Sequence, residues 1–156
     1  RRGEKIILPR TVLNLIADLD NENLNLIDRV YYIKIKDKKV DIKFLLGLLN
    51  SKLVDFYYKS YFGASHLQGN YLDLKGVDLV KIPIRLPSKS QEQKISSLVN
   101  QMLSLQKKLH EEKPSGNEKE RLEQQIKNID YEIDQEIYNL YGITPEEQKI
   151  IEESLK

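Results

Sequence analysis

Two stretches of sequence decide the fold, ISSLVNQMLSLQKKL at residues 95–109 and LEQQIKNIDYEI at residues 122–133. Apolar residues recur in both at steps of three and four, which is the heptad pattern of a coiled-coil seam. The intervening Pro-Ser-Gly sequence at 114–116 ends the first helix, because proline and glycine are poor helix formers. Folding the chain back at this point aligns both seams in one register, so the sequence predicts an antiparallel helical hairpin. The predicted pairs are Leu109 with Leu122, Leu105 with Ile126, Met102 with Ile129, and Leu98 with Ile133.

Capping signals give the helix boundaries around this hairpin. Ser90 and Gln93 have the spacing of a capping box, in which two side chains satisfy two otherwise unpaired backbone amides. Thr144 is followed by a proline and two glutamates, which is typical of a helix N-terminus. The sequence therefore predicts a hairpin at 93–141, as a spacer or dimerisation element, and a short C-terminal helix within 142–156.

The first 92 residues contain several predicted strands. Short apolar or β-branched runs at 5–8, 12–19 and 30–36 favour β-structure, and the last of them ends in strict alternation. A further strand is predicted at 79–86, at the edge of a sheet because Pro83 has no N–H to donate.

A helix is predicted between these strands. Asp41 has the character of an N-cap, and apolar residues follow it at helical spacing from Ile42 to Tyr57. Gly47 lies inside this pattern and predicts close packing against a neighbouring element. The predicted fold class is therefore α+β: a small mixed sheet with a packed helix at 1–92, followed by the helical hairpin.

Composition excludes several classes of protein. The 156 residues include no cysteine and only two histidines, His66 and His110, so disulfides, cysteine-ligated zinc and multi-histidine metal sites are excluded. No apolar run approaches the ~20 residues that span a bilayer, and no signal segment is present, so we expect a cytoplasmic protein without a membrane partner. The chain begins at Arg1 rather than at a methionine, and we expect it to be a piece of a longer protein.

Charge is distributed unevenly along the chain. Residues 1–92 carry 16 basic and 11 acidic side chains, whereas residues 93–156 carry 9 and 13. A basic first part is suited to contact with a polyanion, although imbalances of this size are also ordinary.

No catalytic constellation is present in the sequence. The glycines do not form a phosphate-binding loop, and no metal or cofactor motif is found. Asp41 and Lys43 superficially resemble the end of a nuclease motif, but a helix cap followed by a solvated lysine is the favoured interpretation. We therefore expect no catalytic, cofactor-binding or metal-binding residues in this chain.

The polar stretch at residues 60–71 is the strongest candidate for ligand contact. Its hydroxyl, imidazole and amide groups could recognise base edges, while flanking lysines contact phosphates. Composition alone favours an ordinary surface loop in which glycine and asparagine form turns. Two cations near the first strand are further candidates for phosphate contact. The candidate DNA-binding residues are Lys5, Arg10, Lys59, Ser65, His66, Gln68, Asn70 and Lys75.

The order of motifs carries a family resemblance. The chain contains in series FLLGLLNSKL at 44–53, a glycine-containing polar stretch, LVKIPI at 79–84, EQKI at 92–95 and IYNLYGIT at 137–144. This series resembles the target-recognition domains of restriction-modification systems over about residues 5–153. It is similar both to type I specificity subunits and to the TaqI-like C-terminal specificity region of fused type IIG enzymes.

The resemblance implies recognition of a short duplex-DNA sequence, with residues 1–92 as a partial target-recognition domain. It also implies a partner, either an upstream methyltransferase domain of the same chain or a separate methyltransferase subunit. Adenine methylation, with or without cleavage, and the S-adenosylmethionine cofactor would belong to that partner, because this chain lacks the Asn-Pro-Pro-Tyr signature. The alternatives are half of a type I specificity subunit, or an interaction module without DNA whose helical seams pair between chains.

Overall fold

The computed structural model describes residues 3–13, 16–22, 30–36, 39–63 and 71–156. These residues form two small antiparallel sheets and a set of helices, of which the two longest pack together as a hairpin, and the predicted α+β class is confirmed. The strands are β1 (Lys5–Pro9), β2 (Thr11–Val12), β3 (Asp18–Asp20), β4 (Val30–Ile33) and β5 (Leu72–Asp73). The helices are α1 (Ile42–Leu49), α2 (Lys52–Phe62), α3 (Gly76–Leu79), α4 (Lys89–Glu111), α5 (Gly116–Tyr141) and α6 (Pro145–Ser154).

Strand β1 forms the centre of a three-stranded sheet. It pairs with β3 on one side and β4 on the other, and Ile6 lies opposite both Leu19 and Ile33. The strands predicted at 5–8 and 30–36 are therefore confirmed, the second one at 30–33.

The single strand predicted at 12–19 is wrong, because the chain changes sheets within it. Val12 ends β2, which pairs with β5 instead of joining the first sheet. The backbone N–H and C=O of Ala17 bond the side chain of Asn50 at 2.9 Å each, so they do not enter a sheet. Strand β3 begins only at the next residue.

The strand predicted at 79–86 is also wrong. Leu79 ends α3, and its carbonyl accepts a hydrogen bond from the amide of Ile82 in a turn. Beyond the turn, the Tyr141 hydroxyl donates to the carbonyl of Pro83 at 2.7 Å and accepts from the amide of Arg85 at 3.0 Å. This segment is therefore held by the end of α5 rather than by a sheet neighbour.

The helix predicted from Ile42 is interrupted at Asn50 and continues as a second helix. Asp41 caps α1 as predicted, accepting from the amide of Lys43 at 2.7 Å. Ser51 then starts α2, because its hydroxyl accepts from the amide of Val54 and donates to the carbonyl of Leu48 at 2.6 Å. The apolar periodicity continues through the break, which is why it predicts one helix.

Gly47 confirms the predicted close packing of this region. A Cβ at this position would lie 2.8 Å from Cγ2 of Val99 and 3.3 Å from Cγ2 of Ile95. Helix α1 therefore approaches α4 as closely as its backbone allows, and it packs in the same core as the hairpin.

The hairpin of α4 and α5 is confirmed. An ion pair joins Lys94 to Glu136, one residue from the position opposite Lys94 in the predicted register. The capping box that starts α4 is formed by Ser88 and Gln91, so the box predicted at Ser90 lies two residues too late. Both serines have the required spacing to a glutamine, and the earlier box gives the longer helix.

The C-terminal signals are also confirmed. Gly142 ends α5 in the left-handed conformation, with φ 66°, which glycine adopts without strain. Thr144 and Glu147 then form the capping box of α6, with Pro145 in the first turn. Ile151 of α6 is buried, so this last helix is part of the folded structure.

None of the helices in the described ranges combines the length and the hydrophobicity that a membrane span requires.

Candidate nucleic-acid interface

Two of the predicted phosphate contacts, Arg10 and Lys75, lie on neighbouring backbone segments. The carbonyl of Arg10 accepts a hydrogen bond from the amide of Leu74 at 2.7 Å, where β2 pairs with β5. Both cations are exposed, and neither makes an ion pair with any residue that the structure describes. The Arg10 guanidinium lies 5.6 Å from the centre of the Tyr31 ring, which limits its freedom. The sheet pairing thus brings two exposed cations from distant parts of the sequence onto neighbouring backbone segments.

Tyr58 connects this surface to helix α2. Its hydroxyl is buried and accepts a hydrogen bond from the amide of Lys75 at 3.2 Å. Burial raises the pKa of Tyr58, and the nearby carboxylates of Asp78 and Asp73 raise it further against the lowering effect of the Lys75 amide. The phenol therefore stays protonated at neutral pH and holds the position of Lys75 relative to α2.

Lys59 lies in the last turn of the same helix. Its ammonium is 2.9 Å from a carboxylate oxygen of Asp55, one turn earlier. The lysine side chain is 27% exposed and the aspartate 12% exposed, so the cation is the outer member of the pair. Contact between Lys59 and DNA stays a prediction.

Lys5 occupies a different environment from the other candidate cations. It is 8% exposed, and its ammonium lies 3.0 Å from the nearly buried carboxylate of Asp20 and 4.9 Å from the ring centre of Tyr32. Moving Lys5 to a phosphate would break its ion pair with a buried carboxylate, which is costly. The structure therefore shows a structural ion pair here, and the role of Lys5 in DNA contact stays a prediction.

The four candidates for base recognition, Ser65, His66, Gln68 and Asn70, lie outside the described residues. The ends of their segment are described: Gly63 follows α2, and Tyr71 precedes β5. The polar stretch therefore begins beside Lys59 and ends beside Lys75, and the sheet pairing adds Arg10 to the second of these ends.

Residues 60–62 of the predicted polar stretch lie in the last turn of α2, and the sequence analysis did not single out the aromatic side chains of Tyr61 and Phe62. Tyr61 is 70% exposed and stacks on Tyr57, with their ring centres 4.6 Å apart. Phe62 lies 5.2 Å from the ring centre of Tyr58 and 5.8 Å from the ammonium of Lys81. The available signal was the run YYKSYF at 57–62, in which tyrosines recur four residues apart on one helix face.

The weak resemblance of Asp41 and Lys43 to a nuclease motif has a structural explanation. One Asp41 carboxylate oxygen accepts from the amide of Lys43 at 2.7 Å and from the hydroxyl of Ser96 at 3.2 Å. It is thus a helix cap that also contacts α4. Across the described ranges, no group of three or more acidic or histidine side chains is arranged to hold a metal ion.

The family model of the TaqI-like C-terminal specificity domain matches residues 2–84, which is just over half of the chain. The match contains the sheet strands, α1 to α3 and the polar stretch at 60–71, and it ends before the hairpin. No curated protein matches the chain.

Proposed function

The chain belongs to the family of TaqI-like C-terminal specificity domains, and on that premise we propose that it recognises a short sequence in duplex DNA for a DNA methyltransferase. Membership gives it a DNA-recognition role in restriction-modification. Methylation of adenine within the recognised site, with or without cleavage, is the task of the methyltransferase part, which also binds S-adenosylmethionine. The family match over residues 2–84 is the observation that carries this proposal.

The geometry suits two kinds of contact within the candidate interface, one with phosphates and one with bases. Arg10 and Lys75 are exposed, lie on neighbouring backbone segments and have no ion-pair partners in the described part of the chain, which suits contact with phosphates. The polar stretch at 60–71 carries side chains that can donate to and accept from base edges in the major groove. The hairpin has the character of a spacer that fixes the distance to the methyltransferase part.

Selection from a pool of random-sequence duplexes with the 156-residue chain tests this function. We expect one short sequence to be enriched, and its affinity to fall steeply with salt because phosphate contacts release counterions. Arg10→Ala and Lys75→Ala should each reduce the slope of log K against log[salt] by about 0.9, equally for all sequences. Lys108→Ala, an exposed cation on the hairpin, is the matched control and should leave the slope unchanged.

The base-recognition candidates have a different signature. His66→Ala and Gln68→Ala should change which sequences are enriched while leaving the salt slope as it is, because base contacts determine specificity. Failure to enrich any duplex, together with salt-independent binding, would contradict the proposed function. Transfer of a labelled methyl group to adenine in the selected duplex, by the methyltransferase that contains or recruits this chain, tests the assignment of the reaction.

A further inference from the structure

Tyr61 presents an exposed aromatic ring that is nevertheless held in place. Its side chain is 70% exposed, yet its ring stacks on Tyr57 with a centre-to-centre distance of 4.6 Å and an interplanar angle of 29°. Tyr57 is itself half-buried and contacts Phe62 edge to face, with their ring centres 6.3 Å apart. The ring of Tyr61 therefore loses little conformational freedom when a flat ligand packs on it.

A cation also lies beside this group of aromatic rings. We define the aromatic–lysine patch as Tyr57, Tyr61, Phe62 and Lys81. The Lys81 ammonium lies 5.8 Å from the Phe62 ring centre, and this side chain is 63% exposed while its partner Asp78 is 17% exposed. As in the pair formed by Lys59, the cation is the outer member.

The patch is also continuous with the interface already described. Tyr61 lies in the last turn of α2, two residues before Gly63, and the neighbouring Tyr58 bonds the backbone of Lys75. The exposed ring is thus on the same end of α2 as the beginning of the polar stretch. DNA that contacts Arg10 and Lys75 would therefore lie close to the aromatic–lysine patch.

We propose that Tyr61 stacks on a base of the bound DNA, at a step that opens when the chain binds. Aromatic side chains pack on exposed base faces, and in several DNA-binding folds they enter partly unstacked steps. The inference rests on the proposed function, since it adds a stacking contact to the same interface.

The test compares Tyr61→Ala, Tyr61→Phe and Tyr131→Ala on the selected duplex. Tyr131 lies on α5, is 59% exposed and serves as the matched control. We expect Tyr61→Ala to weaken binding by about 5- to 150-fold, the range for the loss of one stacked base. Tyr61→Phe should bind within about twofold of the unaltered chain, because stacking needs the ring and not the hydroxyl.

Two further readouts separate stacking from a phosphate contact. The salt slope of Tyr61→Ala should equal that of the unaltered chain, since no counterion is released by a stacking contact. Duplexes with 2-aminopurine at successive positions should show a fluorescence change on binding at one step, and Tyr61→Ala should abolish it.

The outcomes distinguish this inference from the proposed function. If the unaltered chain binds no duplex, the proposed function fails. If it binds and Tyr61→Ala behaves like Tyr131→Ala, the stacking inference alone fails, and the patch becomes a candidate surface for a protein. Equal losses in Tyr61→Phe and Tyr61→Ala would also overturn stacking, because they would indicate a contact through the hydroxyl.

Discussion

Replacing Asp134 by asparagine should make the protein more stable at neutral pH. Asp134 is 2% exposed on α5, and one of its oxygens accepts from the amide of Lys52 at 2.9 Å, at the start of α2. The other oxygen has no hydrogen-bond partner among the described residues and lies 3.8 Å from the Lys52 ammonium. Burial raises the pKa of Asp134 from 3.8 to about 6; the Lys52 amide and ammonium lower it, while Asp130 and Glu152 raise it.

The size of the effect follows from this pKa. The pKa of Asp134 is roughly two units higher in the folded state than in the unfolded chain. At pH 7, the ionised carboxylate therefore destabilises the folded state by about 3 kcal/mol. The folded protein binds the proton more tightly than the unfolded chain does. The stabilising contribution of protonated Asp134 is therefore complete below pH 3.8 and is lost as the pH rises through about 6.

Asparagine keeps an oxygen for the Lys52 amide and carries no charge. At pH 4, Asp134→Asn should have nearly the same free energy of unfolding as the unaltered chain, because Asp134 is then largely protonated. At pH 7.5 it should be more stable by up to about 3 kcal/mol. Urea denaturation at both pH values measures this difference directly.

A matched substitution removes general effects of charge. Glu132→Gln, at an exposed position on the same helix, should change stability by less than about 0.5 kcal/mol at either pH. The reasoning is refuted if Asp134→Asn is destabilised at both pH values, or if its stability difference from the unaltered chain does not grow between pH 4 and pH 7.5.

Two further predictions concern packing and capping. Gly47→Ala places a Cβ 2.8 Å from a methyl carbon of Val99. This overpacking should lower the free energy of unfolding by about 1–3 kcal/mol, which thermal denaturation measures. An unchanged melting temperature would contradict the prediction, because it would mean that α1 and α4 move apart without loss of stability. Ser88→Ala should destabilise the protein by about 1 kcal/mol because it removes the capping box of α4, whereas Ser90→Ala should be nearly neutral. The midpoints of urea denaturation measure this difference. The opposite order of midpoints would indicate that α4 is capped by Ser90, as the sequence predicts.

The parts of the fold predicted correctly depend on residues close together in sequence. The caps at Asp41 and Thr144 need only three or four neighbouring residues, and the hairpin needs a short turn and two regular apolar stripes. The helix break at Ser51 was missed because a capping serine interrupts the hydrogen-bond ladder without disturbing the apolar spacing. The strand predicted at 79–86 failed because the hydroxyl of Tyr141, from a distant part of the sequence, bonds this backbone in place of a neighbouring strand. Val80, Ile84 and Leu86 are exposed and do not form the apolar face of a strand.

In the candidate interface, too, some features follow from residue order and others from strand pairing. Its position between Lys59 and Lys75 follows from the order of residues, and so does the polar character of the stretch between them. The pairing of β2 with β5 brings Arg10 to the same place, although more than sixty residues separate it from Lys75. The burial of Lys5 against Asp20 likewise depends on the pairing of β1 with β3.

By itself, the sequence determined the helical hairpin, its turn, the starts of α1 and α6, and the order of motifs that resembles a specificity domain. These features arise from backbone conformation and side-chain spacing within a few turns of chain. Only the tertiary structure decided which cations are exposed, which are paired inside the protein, and that Tyr61 is a fixed ring at the edge of the interface. Exposure, pairing and pKa depend on atoms brought close from distant parts of the chain, and local patterns carry no information about those distances.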